Sequence, residues 1–309
     1  MPDLLTRREF GGCLALGTLF AATGMPAVDA ASDAASTGRT VKFPDGAVVP
    51  VLGQGSASLG KGRRPQAAEE EAMRAGLSLG MTLVDTAELY GSEEFIGRVI
   101  AGQRDRVFLV SKVWQSHATE NGIPRACEAS LARLGTDYLD LYLLHWPNGV
   151  PDLSRVVRAF EKLRSTGKIR AWGVSNFKVR EMEALFRIPN GDRCATNQVL
   201  YNLASRGIES ELLPWCVQHL MPVMAYSPLG GPGANLLRDP TLARIGAAHG
   251  CSPAAVALAW TTRSGNVIAI PESGSAAHVK ENAVALALTL TQSELQELDA
   301  AFPPPRRIR

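Results

Sequence analysis

Eight short apolar runs, each followed by a stretch of helical spacing, recur along this chain with no domain-sized interruption. Apolar runs bounded by turn signals read as strands buried on both faces, and their alternation with amphipathic segments calls for parallel pairing through βα crossovers. The spacing predicts strands over 51–55, 82–86, 107–112, 139–144, 171–175, 195–199, 222–226 and 267–270. Eight such units close into a (β/α)8 barrel, an α/β fold whose strand C-termini converge on one face. Ahead of them, VKFPDGAVVP reads as a β-hairpin capping the opposite end. TLARIGAAHG and SPAAVALAWTTRSG read as a broken helical pair before the last strand. TQSELQELDAAF, with Thr291 and Glu294 in a capping-box pattern, reads as an extra C-terminal helix.

Three of these runs deliver chemistry to the active face. TLVDTAELYG carries Asp85 and Tyr90, VFLVSK ends on Lys112, and LDLYLLHWP closes with His145. A carbonyl that receives a hydride becomes an alkoxide and needs a proton donor within hydrogen-bond reach. Tyr90 can be that donor, with Lys112 as the cation that eases release of its proton. Asp85 would hold Lys112 by an ion pair, and a neutral His145 could orient the carbonyl oxygen. Singly, each has an ordinary structural reading: Asp85 as a strand-end cap, Tyr90 as packing, Lys112 as surface charge, His145 as a core histidine. Their convergence on one barrel face favours the chemical reading.

The combination resembles the aldo-keto reductase superfamily, whose tetrad is Asp, Tyr, Lys and His in this order. The motifs that carry the resemblance are DTAELYGSEEFIG (85–97), LVSKVW (109–114), LHWP (144–147), GKIRAWGVSNF (167–177), NQVLYN (197–202) and AYSPLG (225–230), within a span of about residues 40 to 302. The short connection NGVPDLSRV after His145 is similar to small monomeric bacterial reductases of methylglyoxal and diketo compounds, so a monomer is expected. The resemblance implies NAD(P)H-dependent interconversion of an aldehyde or ketone and its alcohol, with Tyr90 as general acid. It implies a nicotinamide held by Ser175, Asn176 and Gln198 and stacked on Tyr226. It implies Ser56 as a further cofactor contact, and places Ser227, Leu229 and Gly231 on the loop that in the family passes over the pyrophosphate.

At the adenosine end the chain departs from the family pattern of Lys-Ser followed by an arginine, which grips the 2′-phosphate of NADP. Here IPESGSAAHVKEN places Glu272 at the lysine position, keeps Ser273, and has His278 for the arginine. Glu281 and Asn282 match the adenine-contacting pair. A carboxylate beside a phosphate is repulsive, so the preference for NADP over NAD should weaken. NADP(H) is still expected first by resemblance, with NAD(H) second. Larger relatives latch the cofactor with an acidic residue after AYSPLG, whereas Gly231, Pro232 and Gly233 offer none, which implies fast nucleotide exchange. The resemblance also places Trp114 and Trp146 on an apolar substrate pocket. Ala57 stands where relatives often carry an aromatic, which either widens the pocket or leaves room for a nearby loop.

At the start, TRREFGG precedes LALGTLFAATGMPA, the pattern of a twin-arginine export signal. The apolar run is shorter than the roughly 20 residues a spanning helix needs, so the segment reads as removable. The organisation expected is a signal peptide over 1–30, a flexible linker over 31–39 and the barrel over 40–309, with the folded enzyme delivered by the twin-arginine translocase to the periplasm. Free nicotinamide nucleotide should be scarce there, so function and address pull against each other.

The remaining composition mainly excludes. Net charge is +2 for the whole chain and about +3 without the leader, with no basic–aromatic stripe, so no nucleic-acid partner is expected. Cys127, Cys194, Cys216 and Cys251 show no metal spacing and are expected as buried thiols, and no metal site is expected among the histidines. Two rival functions remain on the same fold. A nucleotide-binding redox sensor with little turnover would not need the full tetrad. A barrel glycosidase would need two strand-end carboxylates, and only Asp85 ends a strand.

Overall fold

A computed structural model describes residues 38–231 and 233–305. The segment expected as an export signal, 1–30, and residues 31–37 of the expected linker lie outside the described residues. Arg39, the last linker residue, belongs to the folded body: its guanidinium bonds Thr262 and the Ala285 carbonyl. The hairpin comes next. β1 (Thr40–Lys42) pairs antiparallel with β2 (Val48–Pro50), with Val41 opposite Val49. It turns at Gly46, whose φ of +94° suits a residue without Cβ. The inward side chains Val41, Phe43 and Val49 join Val110, Leu141, Met224 and Ile268 in one buried cluster, so the hairpin plugs the barrel's interior from below.

The eight barrel strands are β3 (Gln54–Gly55), β4 (Leu83–Asp85), β5 (Phe108–Val113), β6 (Leu139–Leu144), β7 (Ile169–Ser175), β8 (Asn197–Leu200), β9 (Val223–Tyr226) and β10 (Val267–Ala269). They form one parallel sheet in sequence order. The runs are apolar throughout because their outward side chains are also covered: a second cluster fills the layer between sheet and helices. The first strand is shorter than its 51–55 span suggests. Only Gln54 and Gly55 pair with β4, while Val51, Leu52 and Gly53 turn their bonds to the last strand. Gly53 N donates to the Ala269 carbonyl at 2.8 Å and Ala269 N to the Val51 carbonyl at 2.8 Å, which closes the sheet on itself. Gly53 is required at that seam, because a Cβ there would sit 2.8 Å from the Leu83 carbonyl oxygen. Gly53→Ala should therefore cost about 1–3 kcal/mol, read as a lower urea midpoint at unchanged m.

Helices follow the strands: α1 (Gln66–Ser78), α2 (Glu93–Ile100), α3 (Gly122–Leu134), α4 (Leu153–Ser165), α5 (Val179–Phe186), α6 (Leu212–Gln218), α7 (Pro240–Ala248), α8 (Pro253–Thr261), α9 (Ala276–Ala283) and α10 (Gln292–Ala301). Asp152, Asp239 and Ser252 cap α4, α7 and α8 by accepting backbone N–H bonds. The Thr291–Glu294 capping box opens α10. Cys127, Cys194 and Cys216 are buried thiols, whereas Cys251 is only half-buried, since it lies in the turn between α7 and α8.

Candidate active site

β4 ends on Asp85, and a one-turn 3-10 helix, Glu88–Tyr90, brings the Tyr90 hydroxyl back over it. β5 aims Lys112 inward, and His145 follows β6 directly. Lys112 is fully buried; its ammonium lies 2.6 Å from Asp85 Oδ2, 2.9 Å from the Thr86 carbonyl and 3.4 Å from Tyr90 Oη. Tyr90 Oη is also 3.4 Å from His145 Nε2. The four residues named from the sequence thus meet around one hydroxyl.

Burial alone would push the Lys112 pKa down, but the Asp85 carboxylate and the bond to it carry it upward, so the cation is retained. Tyr90 corrects the sequence expectation. Burial raises its pKa, Lys112 pulls it back, and the net direction is upward, so Lys112 moderates the rise and does not produce an acidic phenol. The proton therefore stays on Tyr90 until an alkoxide needs it. Burial, then Lys112, lowers the His145 pKa to about 3, which keeps the ring neutral. Its Nδ1 is buried without a hydrogen-bond partner. A proton there would be an orphaned donor, so the tautomer is Nε2–H, directed towards Tyr90 Oη.

The hydroxyl opens into a cavity of about 690 Å³ whose wall includes His145, Trp146, Ser175, Asn176, Gln198 and Tyr226. These side chains are already linked. Gln198 Nε2 donates to Asp85 Oδ1 at 2.7 Å, Ser175 Oγ to the Gln198 carbonyl at 2.8 Å, and Tyr226 Oη to Asn176 Oδ1 at 3.0 Å. Asn176 sits at φ +64°, a conformation asparagine tolerates better than most residues, and its amide reaches the His145 carbonyl at 3.2 Å. An amide, a hydroxyl and an aromatic plane side by side suit a nicotinamide carboxamide and ring. Ala57, Ser227, Leu229 and Gly231 also line the cavity.

Other residues named from the sequence stand elsewhere. Ser56 borders the cavity, but its buried hydroxyl is 2.8 Å from the Asp85 carbonyl and 3.1 Å from Ser92 Oγ, so it braces the strand end. Trp114 is off the cavity wall and packs edge-on against the His145 ring at 5.2 Å. Ser273 shares bonds with the Ser275 backbone, His278 and Glu281 are exposed on α9, and Asn282 is buried there; none of the four is on the wall. Three contributors escaped sequence reasoning. Glu88 accepts from the Trp114 backbone N–H and contacts His117 Nδ1 at 3.1 Å, fixing the tryptophan behind His145. Ser58 is tied to Glu272, and Arg238 reaches the cavity wall. Among the described residues no group of three or more His, Cys, Asp or Glu could hold a metal ion.

A proton donor, a fixed cation and a neutral imidazole around one hydroxyl supply acid catalysis but no electrons. With an amide-lined cavity beside them, they define an NAD(P)-dependent oxidoreductase of carbonyl groups. The chain belongs to the aldo/keto reductase family, whose model matches residues 51–302. It is 47% identical over 274 residues to methylglyoxal reductase YeaE of Escherichia coli strain K12, covering 87% of this chain and 96% of that protein. It is 35% identical over 264 residues to a glyoxal reductase of Bacillus subtilis strain 168, covering 84% and 92%. An aldo/keto reductase from Klebsiella pneumoniae, solved in complex with NADP and acetate, matches with a TM-score of 0.84 at 48% identity, covering 88% of this chain and 98% of that one.

Proposed function

We propose that this enzyme reduces small oxoaldehydes such as methylglyoxal, and bulkier aldehydes besides, with NADP(H) as its preferred dinucleotide. The observation that carries the reading is the Tyr90 hydroxyl, held 3.4 Å from both Lys112 Nζ and His145 Nε2 at the cavity wall. Ser175, Asn176, Gln198 and Tyr226 would hold the nicotinamide end, which when bound supplies the hydride. Tyr90 gives its proton to the oxygen that becomes an alkoxide. Lys112 stabilises the phenolate left behind, and Asp85 keeps Lys112 charged and in place. His145 donates from Nε2 to the carbonyl oxygen and sets its angle.

NADP is favoured because the Klebsiella relative was solved with it. Methylglyoxal is favoured by the name of the E. coli relative. The test is oxidation of NADPH against NADH with methylglyoxal; turnover with NADH alone would overturn the dinucleotide preference. Ala57 is exposed on the cavity wall, which supports admission of bulkier carbonyls. Ala57→Trp should raise KM for an aromatic aldehyde roughly tenfold and leave methylglyoxal little changed.

The neutral His145 has a pH signature. The folded ring stays unprotonated down to about pH 3, whereas an unfolded histidine protonates near 6.5. No His145 limb should therefore appear in kcat/KM between about pH 5 and 8. Above about 6.5 the group contributes nothing to stability; below it the unfolded state binds the proton and folding stability falls as pH drops.

The address is proposed on the leader alone. Arg7 and Arg8 before Phe10 and an apolar run support twin-arginine export of the folded enzyme to the periplasm, and a monomer is proposed there. Arg7→Lys/Arg8→Lys should trap it in the cytosol on fractionation, and light scattering reads the mass. A retained dinucleotide would let it recycle between an alcohol and a carbonyl outside the cell. Mass spectrometry of small molecules released on denaturing periplasmic protein tests that.

A further inference from the structure

The charges on the cavity wall single out one residue for an anionic ligand. Asp85 is neutralised by Lys112 and bonded by Gln198, and His145 is neutral. Glu272 opens the last βα loop, and both its carboxylate oxygens go to Ser58: Oε2 accepts from Ser58 N at 2.8 Å and Oε1 accepts from the Ser58 hydroxyl. That contact spans the barrel seam and occupies the carboxylate but leaves its charge. Among the described residues Arg238 is the one cationic side chain on the wall. It ends the 3-10 turn Leu236–Arg238 that follows β9, it is exposed, and among the described residues its guanidinium makes no ion pair and no hydrogen bond. The neighbouring carboxylate does not claim it, because Asp239 Oδ1 accepts from Thr241 N at 2.8 Å and Leu242 N at 3.3 Å at the head of α7.

The last βα loop brings no cation of its own to this wall. Glu272 is its charged member there, and His278 is exposed on α9, off the wall. A dinucleotide carries a diphosphate, and its 2′-phosphorylated form a third phosphate. Bringing those charges to a wall that already holds Glu272 is unfavourable without an opposing cation. A guanidinium without a partner among the described residues, on the loop that follows the strand next to β10, meets that need with bidentate geometry.

We propose that Arg238 grips a phosphate of the bound dinucleotide, so that the loop after β9 supplies the cation that the last βα loop lacks. The assignment deepens the NADP(H) reading and rests on it. The diphosphate and the 2′-phosphate present the same chemistry, and comparing two dinucleotides separates them.

The experiment is tryptophan-fluorescence titration of the full chain with NADPH and with NADH at several salt concentrations; Trp146 on the cavity wall provides the signal. Arg238→Gln should weaken binding roughly tenfold or more and flatten the salt dependence, with Arg238→Lys recovering part of the loss. Arg180→Gln, exposed on α5 and away from the cavity, controls for the loss of one net charge. Weakening of NADPH and NADH alike supports a grip on the diphosphate. Weakening of NADPH alone supports a grip on the 2′-phosphate. Wild-type affinity of Arg238→Gln for both, with the wild type binding normally, overturns the assignment and leaves the dinucleotide reading standing. Failure of the wild type to bind either overturns both.

Discussion

Tyr90→Phe should lower kcat/KM for carbonyl reduction by about 10²–10⁴-fold with NADPH affinity almost unchanged. The substitution removes the one hydroxyl that faces both Lys112 and His145 and keeps the ring that packs against them. It does not touch the Ser175, Asn176, Gln198 and Tyr226 network. Paired measurements of turnover and fluorescence-detected nucleotide binding check it. Retained reduction would place the proton donor elsewhere, and lost binding would make Tyr90 a structural residue.

Lys112→Met should be the most damaging single change to stability. Asp85 and Lys112 are 2.6 Å apart and both buried. Removing one partner leaves an uncompensated charge, with a cost of about 3–5 kcal/mol, or a fall in Tm on the order of 10 °C. Asp85→Asn/Lys112→Met removes the charge with its partner and should recover most of the stability, because an asparagine still accepts from Gln198 Nε2 at the same oxygen position. It should recover no activity, since nothing then stabilises the Tyr90 phenolate. Thermal unfolding of the wild type and the two variants separates the two roles; equal melting temperatures for single and double variants would mean that the charge, once unpaired, finds water.

The tetrad was legible because each member follows an apolar run that can only be a buried strand, and strand ends of a parallel barrel converge. Asn176 and Tyr226 were legible through their motifs. What escaped are contacts whose signal lies in the pairing of distant loops. Glu88 meets Trp114 across 26 residues and Glu272 meets Ser58 across 214, and neither residue type alone announces a partner. Arg238 lies in a turn after a glycine-rich loop, where no periodicity tells which way a side chain faces. The Tyr90 shift escaped for a different reason. Its sign depends on how much desolvation competes with Lys112, and burial of a turn residue is a property of the assembled face.

The seam between the first and last barrel strands bears on how the protein is made. Gly53 and Gly55 donate to Ala269 and Pro271, so the outer edge of β3 stays bare until β10 has emerged from the ribosome. A nascent chain therefore carries an open, apolar edge through most of its synthesis, the kind of surface on which strands of neighbouring chains can add. Chaperone capture of the growing polypeptide should persist until roughly the last strand is out and then cease. Closure of the seam is thus the step at which the chain stops offering that edge to its neighbours.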